Sequence, residues 1–134
     1  MARILVIEDE HPLRRIIALN LAKRGYMVAE ADTVVSALDS LRVTANRCDL
    51  LLLDINLPDT SGWDILQHLQ EAQVRPLPQV IIMTAVRPTA QNMATFAPAG
   101  ILLKPFPIDT LLRLIEQTLV LPIESAAQVE EWIP

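Results

Sequence analysis

Five apolar runs punctuate the chain, and each is followed by a segment with helical spacing. The runs lie in "ARILVI", "YMVAEA", "DLLLLD", "PQVIIMT" and "GILLK". Short runs rich in Ile, Val and Leu, apolar almost throughout, suit strands covered on both faces. In the segments between them, apolar residues recur three and four positions apart. Examples are Leu13, Ile16, Ile17 and Leu21, then Val34, Leu38 and Leu41, then Leu111, Leu112, Ile115 and Leu119. The predicted order is strand then helix, repeated five times. That order calls for an α/β fold: a doubly wound, five-stranded parallel sheet with helices on both faces and right-handed crossovers.

Punctuation residues support the same division. Pro12 suits a first helical position, and Gly25 is placed to follow the end of the first helix. Asp32 or Thr33 is the expected cap of the second helix. The fourth helix is predicted to be short and weakly patterned, within residues 88–96. Pro122 is read as a stop for the last helix. One compact domain is therefore expected over residues 1–121, with residues 122–134 as a short extra helix or the start of a linker.

Charge and composition narrow the function. A net charge of -5 argues against general binding to nucleic acid or anionic membranes. Cys48 is the single cysteine, so no intrachain disulfide is possible, which fits a reducing compartment. The start "MARILVIEDEH" reaches charge too soon for a signal peptide, and no apolar run reaches membrane-spanning length. A cytoplasmic location is expected.

In an open parallel sheet, ligands bind beyond the carboxyl ends of the strands. Glu8, Asp9 and Glu10 follow the first predicted strand, Asp54 ends the third with Asn56 after it, Thr84 and Ala85 end the fourth, and Lys104 ends the fifth before Pro105. Parallel packing brings these residues to one edge. Neighbouring carboxylates repel, and a divalent cation with oxygen ligands, Mg²⁺ or Mn²⁺, would offset the repulsion. A metal, an amine and a hydroxyl around one carboxylate also fit a phosphoryl group, whose transfer asks mainly for positioning and charge neutralisation. Asp54 is the central candidate because it ends the most apolar strand. Lys104 is one of only two lysines against nine arginines, and it sits in the apolar setting "ILLKPF". A compact ammonium there needs an anion nearby.

The motifs "VIEDEHPLR", "LLLLDINLPDTSGWDIL", "VIIMTA" and "LLKPF", in that order with strand-helix units between, resemble the receiver domain of two-component response regulators over about residues 2–120. The fold this implies is the flavodoxin-like (βα)5 arrangement of CheY-like proteins. The resemblance also implies that Asp54 accepts a phosphoryl group from a phosphohistidine on a sensor histidine kinase or phosphotransfer protein. It implies that Asp9 and Asp54 ligate Mg²⁺ directly, Glu8 through water, and the Asn56 carbonyl as a further ligand. Lys104, the Thr84 hydroxyl and the backbone N–H groups of Asn56 and Ala85 are implied to hold the phosphoryl group. Pro58 and Gly62 match the loop after the acceptor strand, with Gly62 expected in a strained turn. In the family this chain resembles, Tyr or Phe usually stands at the position of Ile101 as part of the switch, Ala commonly at that of Pro98 and a capping Asp at that of Pro107. A homodimer through the face of the fourth helix, fifth strand and fifth helix is a further implication.

Plainer readings stand beside these. A strand-end acid is commonly a helix cap, and Glu8 and Asp9 could simply favour a helix dipole. Glu10 reads as a cap or surface group. His11 and His68 lie in no acceptor pattern. Trp63 and Trp132 read as packing residues, Met83 and Met93 as core or surface fill, and Cys48 as a small apolar residue before the third strand. An aspartate-nucleophile phosphohydrolase would want an acid two positions after Asp54, where Asn56 stands. A flavin binder would want small hydroxyl residues where "EDEHP" stands. The favoured reading is a phosphoacceptor switch that catalyses only its own phosphorylation and dephosphorylation. The alternatives are a docking module with vestigial phosphorylation, or the N-terminal receiver of a longer transcriptional regulator.

Overall fold

In the computed structural model, residues 2–44, 48–74 and 76–132 are described. The elements alternate throughout: β1 (Arg3–Ile7), α1 (His11–Lys23), β2 (Met27–Ala31), α2 (Val34–Thr44), β3 (Leu50–Asp54), α3 (Trp63–Glu71), β4 (Gln79–Thr84), α4 (Ala90–Phe96), β5 (Gly100–Leu103) and α5 (Ile108–Trp132). The five strands form one sheet in the order β2-β1-β3-β4-β5, and every pair is parallel. The chain reverses its direction across the sheet between β1 and β3. The carboxyl ends of those two strands therefore flank the crevice where such sheets bind ligands.

Each strand divides its side chains between two cores. Leu51 and Leu53 join Ile65 and Leu69 of α3 on one face, while Leu50 and Leu52 join Ile17 of α1 and Leu111 of α5 on the other. All four leucines are fully buried. Period-two alternation explains why four consecutive leucines are needed: neither face of β3 meets water. Register does the rest. Ile7 lies opposite Leu53, Asp54 opposite Met83, and Thr84 opposite Leu103, so the strands end at nearly one level.

Local signals bound three of the helices, those at Gly25 and Thr33 as expected. Gly25 adopts a left-handed φ of 92° after α1. The Tyr26 N–H donates to the Leu21 carbonyl and the Gly25 N–H to that of Ala22, the pairing that ends a helix at a left-handed glycine. Thr33 caps α2, its hydroxyl accepting from the Ser36 N–H at 3.0 Å. Thr89 caps α4 through the Asn92 N–H, and the helix is indeed short. Trp63 packs as expected, stacked on Phe96 with ring centroids 5.4 Å apart. The side chain of Trp132 lies outside the described residues, as do residues 133 and 134 of the tail.

The reading of Pro122 as a stop is corrected. Helix α5 runs on through it to Trp132. Proline lacks the N–H that would reach the Thr118 carbonyl four residues back. The Gln79 side chain supplies a donor instead, with Nε2 at 3.1 Å from that carbonyl. The orphaned acceptor is thus satisfied from β4.

Candidate functional site

Burial on both faces forces polar residues out of the strands only at their ends. Asp54 closes β3, Thr84 closes β4, Glu8 follows β1 and Lys104 follows β5. The structure brings all four together at the carboxyl edge. Glu8 and Asp54 are buried, at 0% and 3% exposure. One carboxylate oxygen each from Glu8, Asp9 and Asp54 lies within 4.8 Å of the others. Asp9 is exposed at the mouth of this cluster.

Lys104 is the cation paired with the buried carboxylates. Its Nζ lies 2.5 Å from Glu8 Oε1 and 3.2 Å from Asp54 Oδ2. Burial pulls the ammonium towards losing its proton, but the bonds and charges of Glu8 and Asp54 overcome this and raise its pKa. Burial also pushes the Glu8 carboxyl up to about 7, against the pull of Lys104 and the Glu10 N–H, with the Asp54 charge adding to the rise. One ammonium does not balance three acids at this spacing. The donor set, all oxygen and net negative, fits a divalent cation such as Mg²⁺.

The remaining expected residues surround this centre. The Asn56 N–H donates to Asp54 Oδ1 at 3.1 Å. Asn56 lines a shallow depression with Asp9 and Pro58. Across the site, Glu10, Leu13, Ala85, Lys104, Pro105 and Phe106 line a second depression. Thr84 is buried, and its hydroxyl is engaged with Val86, donating to the carbonyl at 3.0 Å and accepting from the N–H at 3.1 Å. Ile101 is half-buried against the core on the α2–α3 side that also takes Trp63 and Phe96. Glu10 occupies the cap position of α1 but makes no side-chain capping bond.

Gly62 corrects one expectation. Its φ is -59°, an ordinary right-handed value at the start of α3, so no strained turn requires glycine. A Cβ there would lie 2.5 Å from the Asp54 carbonyl oxygen and 3.0 Å from Ile55 Cα. Glycine is needed because the returning loop crosses directly over the acceptor strand.

Two residues outside the expected set help build the site. Arg14 Nη1 donates to the Glu8 carbonyl at 3.0 Å while its Nε pairs with Glu30. Asp59 reaches from the loop after β3 to the N-terminus of α2, where its two carboxylate oxygens accept from the N–H groups of Val34 and Val35. The one sequence signal for Arg14 is its place one helical turn after Glu10. Nothing local marks Asp59, because its partners are 24 and 25 residues away.

The chain matches the response regulator receiver domain over residues 4–116. It belongs to the response regulator receiver domain family. Response regulator ArlR of Staphylococcus aureus is 33% identical over 122 residues, covering 89% of this chain and 53% of ArlR. The receiver thus spans about half the length of the curated relatives it matches. Among solved structures, chemotaxis protein CheY4 of Vibrio cholerae shares the fold, with a TM-score of 0.79 and 24% identity over 89% of this chain and 99% of that one. Response regulator protein TrrA of Thermotoga maritima, solved in complex with Mg²⁺ and BeF, is 26% identical with a TM-score of 0.73, over 89% of this chain and all of the other. Receiver domains are two-component signalling domains that partner with histidine kinases, and they are not conventional enzymes. Among the described residues, no helix is long and apolar enough to cross a membrane.

Proposed function

We propose that this receiver is a phosphoacceptor switch and that Asp54 takes the phosphoryl group. The observation that carries the reading is the pairing of buried Asp54 with Lys104 inside a cluster of three acids. An oxygen of the Asp54 carboxylate forms the new bond to phosphorus while the P–N bond of a partner's phosphohistidine breaks. The electron pair of that bond leaves on the imidazole.

Asp9, Asp54 and the Asn56 carbonyl would hold Mg²⁺ or Mn²⁺ directly, and Glu8 through water. When bound, the cation supplies charge neutralisation for the carboxylate and the incoming phosphoryl oxygens. The TrrA complex with Mg²⁺ and BeF supports this assignment by likeness. Lys104 is already poised beside Asp54 and pairs with the phosphoryl oxygens. The Asn56 and Ala85 N–H groups contribute donors. The Thr84 hydroxyl leaves Val86 for the phosphoryl group, which frees the segment leading into α4. Ile101 and Pro98 change the surface that reads this event, while Pro58, Gly62 and Pro105 shape the walls of the site.

The proposed partners are a sensor histidine kinase or phosphotransfer protein upstream and another protein downstream, in the cytoplasm. Residues 1–121 are the proposed receiver unit, with the stretch of α5 from Pro122 to Trp132 continuing out of it as a helical tail, and α4, β5 and α5 are a candidate dimer face. A second reading, the N-terminal receiver of a longer transcriptional regulator, is favoured by the coverage of only 53% of ArlR.

Incubation with acetyl phosphate and Mg²⁺, borohydride reduction and peptide mapping test the assignment. Homoserine at position 54 is expected. Modification elsewhere, or none, contradicts it.

A further inference from the structure

The loop that carries Asn56 is closed on itself and then tied to a different helix. At its base, Asn56 and Ser61 form an antiparallel bridge, and the Gly62 N–H donates to the Ile55 carbonyl at 2.8 Å. At its tip, Asp59 spans to α2, with Oδ1 at 3.0 Å from the Val34 N–H and Oδ2 at 3.1 Å from the Val35 N–H. These are first-turn donors with no partner inside the helix. Helix α2 already has its own cap in Thr33, which serves Ser36. The Asp59 contact therefore satisfies other groups, and it ties α2 to the loop by two hydrogen bonds.

We infer that Asp59 is a positioning residue for the metal site: by clamping the loop tip to α2 it fixes the Asn56 backbone against Asp54. This rests on the proposal that Asn56, Asp54 and Asp9 hold the cation. Several features support it. The Asn56 N–H bonds to Asp54 Oδ1, so loop position and acceptor orientation move together. Both Asp59 oxygens are engaged, which fixes the tip in direction as well as distance. The held residue is small and exposed, so its effect on the core is slight. A supporting contact of this kind orients the groups that bind metal without touching the metal itself.

The test compares wild type, Asp59→Ala, Asp59→Asn and Thr33→Ala. Thr33→Ala weakens the α2 N-terminus without releasing the loop. Mg²⁺ affinity is measured by titration calorimetry, and amide exchange at Asn56 and Gly62, whose N–H groups donate to Asp54 and Ile55, is followed in metal-free protein. Asp59→Ala is expected to weaken Mg²⁺ binding by about tenfold and to speed exchange at both amides. Asp59→Asn, which keeps an acceptor, should restore part of the affinity. Thr33→Ala should lower thermal stability and leave affinity and loop exchange unchanged. Wild-type affinity in Asp59→Ala, or an equal loss in Thr33→Ala, overturns the inference. Failure of wild type itself to bind Mg²⁺ overturns the metal-site proposal and this inference with it.

Discussion

Lys104 Nζ lies 2.5 Å from Glu8 Oε1, a contact that joins the ends of the first and fifth strands. The same ammonium reaches Asp54 Oδ2 at 3.2 Å. One cation therefore holds two buried acids from two other strands. Replacing it by Ala removes that compensation. Glu8 would then protonate rather than remain an unpaired anion, which limits the cost to about 1–2 kcal/mol. Chemical unfolding of metal-free Lys104→Ala should show this loss with the fold intact. Phosphorylation of the variant should no longer alter partner or self-association; unchanged coupling counts against the role given to Lys104.

Glu8 makes the site sensitive to pH. Its carboxyl is raised from 4.5 to about 7, chiefly by burial. A raised carboxyl favours the protonated folded form. Its contribution to stability is complete below the ordinary value and is lost as pH rises through about 7. Metal-free protein should therefore lose stability over that window. Mg²⁺ binding needs the anion, so affinity should rise over the same range. Titration calorimetry at pH 6 and pH 8 checks this, and Glu8→Gln should flatten the difference. Equal affinities at the two pH values in wild type would refute it.

Gly62 is held by space rather than by backbone conformation. A methyl group there meets the Asp54 carbonyl at 2.5 Å, and backbone cannot move aside as a flexible side chain could. Gly62→Ala should cost about 1–3 kcal/mol in thermal or chemical unfolding. It should also weaken Mg²⁺ binding, because the displaced strand end is the acceptor itself. A neutral substitution would contradict the close approach.

The Gln79 side chain stands in for the N–H that Pro122 lacks. Gln79→Ala should cost about 1 kcal/mol by leaving the Thr118 carbonyl unpaired. Pro122→Ala should reduce that penalty, since the helix then supplies its own donor. Equal effects of Gln79→Ala in both backgrounds, measured as a double-mutant cycle, would argue against the compensation.

Much of this architecture is legible in the residues. The leucines of β3 announce a strand covered on both faces, and the strand-end positions of Glu8, Asp54, Thr84 and Lys104 follow from the parallel order. What is not legible depends on distance through space. Pro122 carries a local stop signal that a glutamine 43 positions earlier cancels. Gly62 looks like a turn glycine, but its reason is a carbonyl eight residues back. Asp59 looks like a solvent-facing loop acid until α2 is placed beside it. Ile101 shows that the usual aromatic is absent, yet only the fold shows Phe96 stacked on Trp63 on the same side of the sheet.

The central claim is that Asp54 receives a phosphoryl group. Intact-mass spectrometry after incubation with acetyl phosphate and Mg²⁺ tests it most directly. Wild type should gain the mass of one phosphoryl group, and the gain should vanish with a chelator and in Asp54→Asn. No adduct in wild type, or the same adduct in Asp54→Asn, would contradict it.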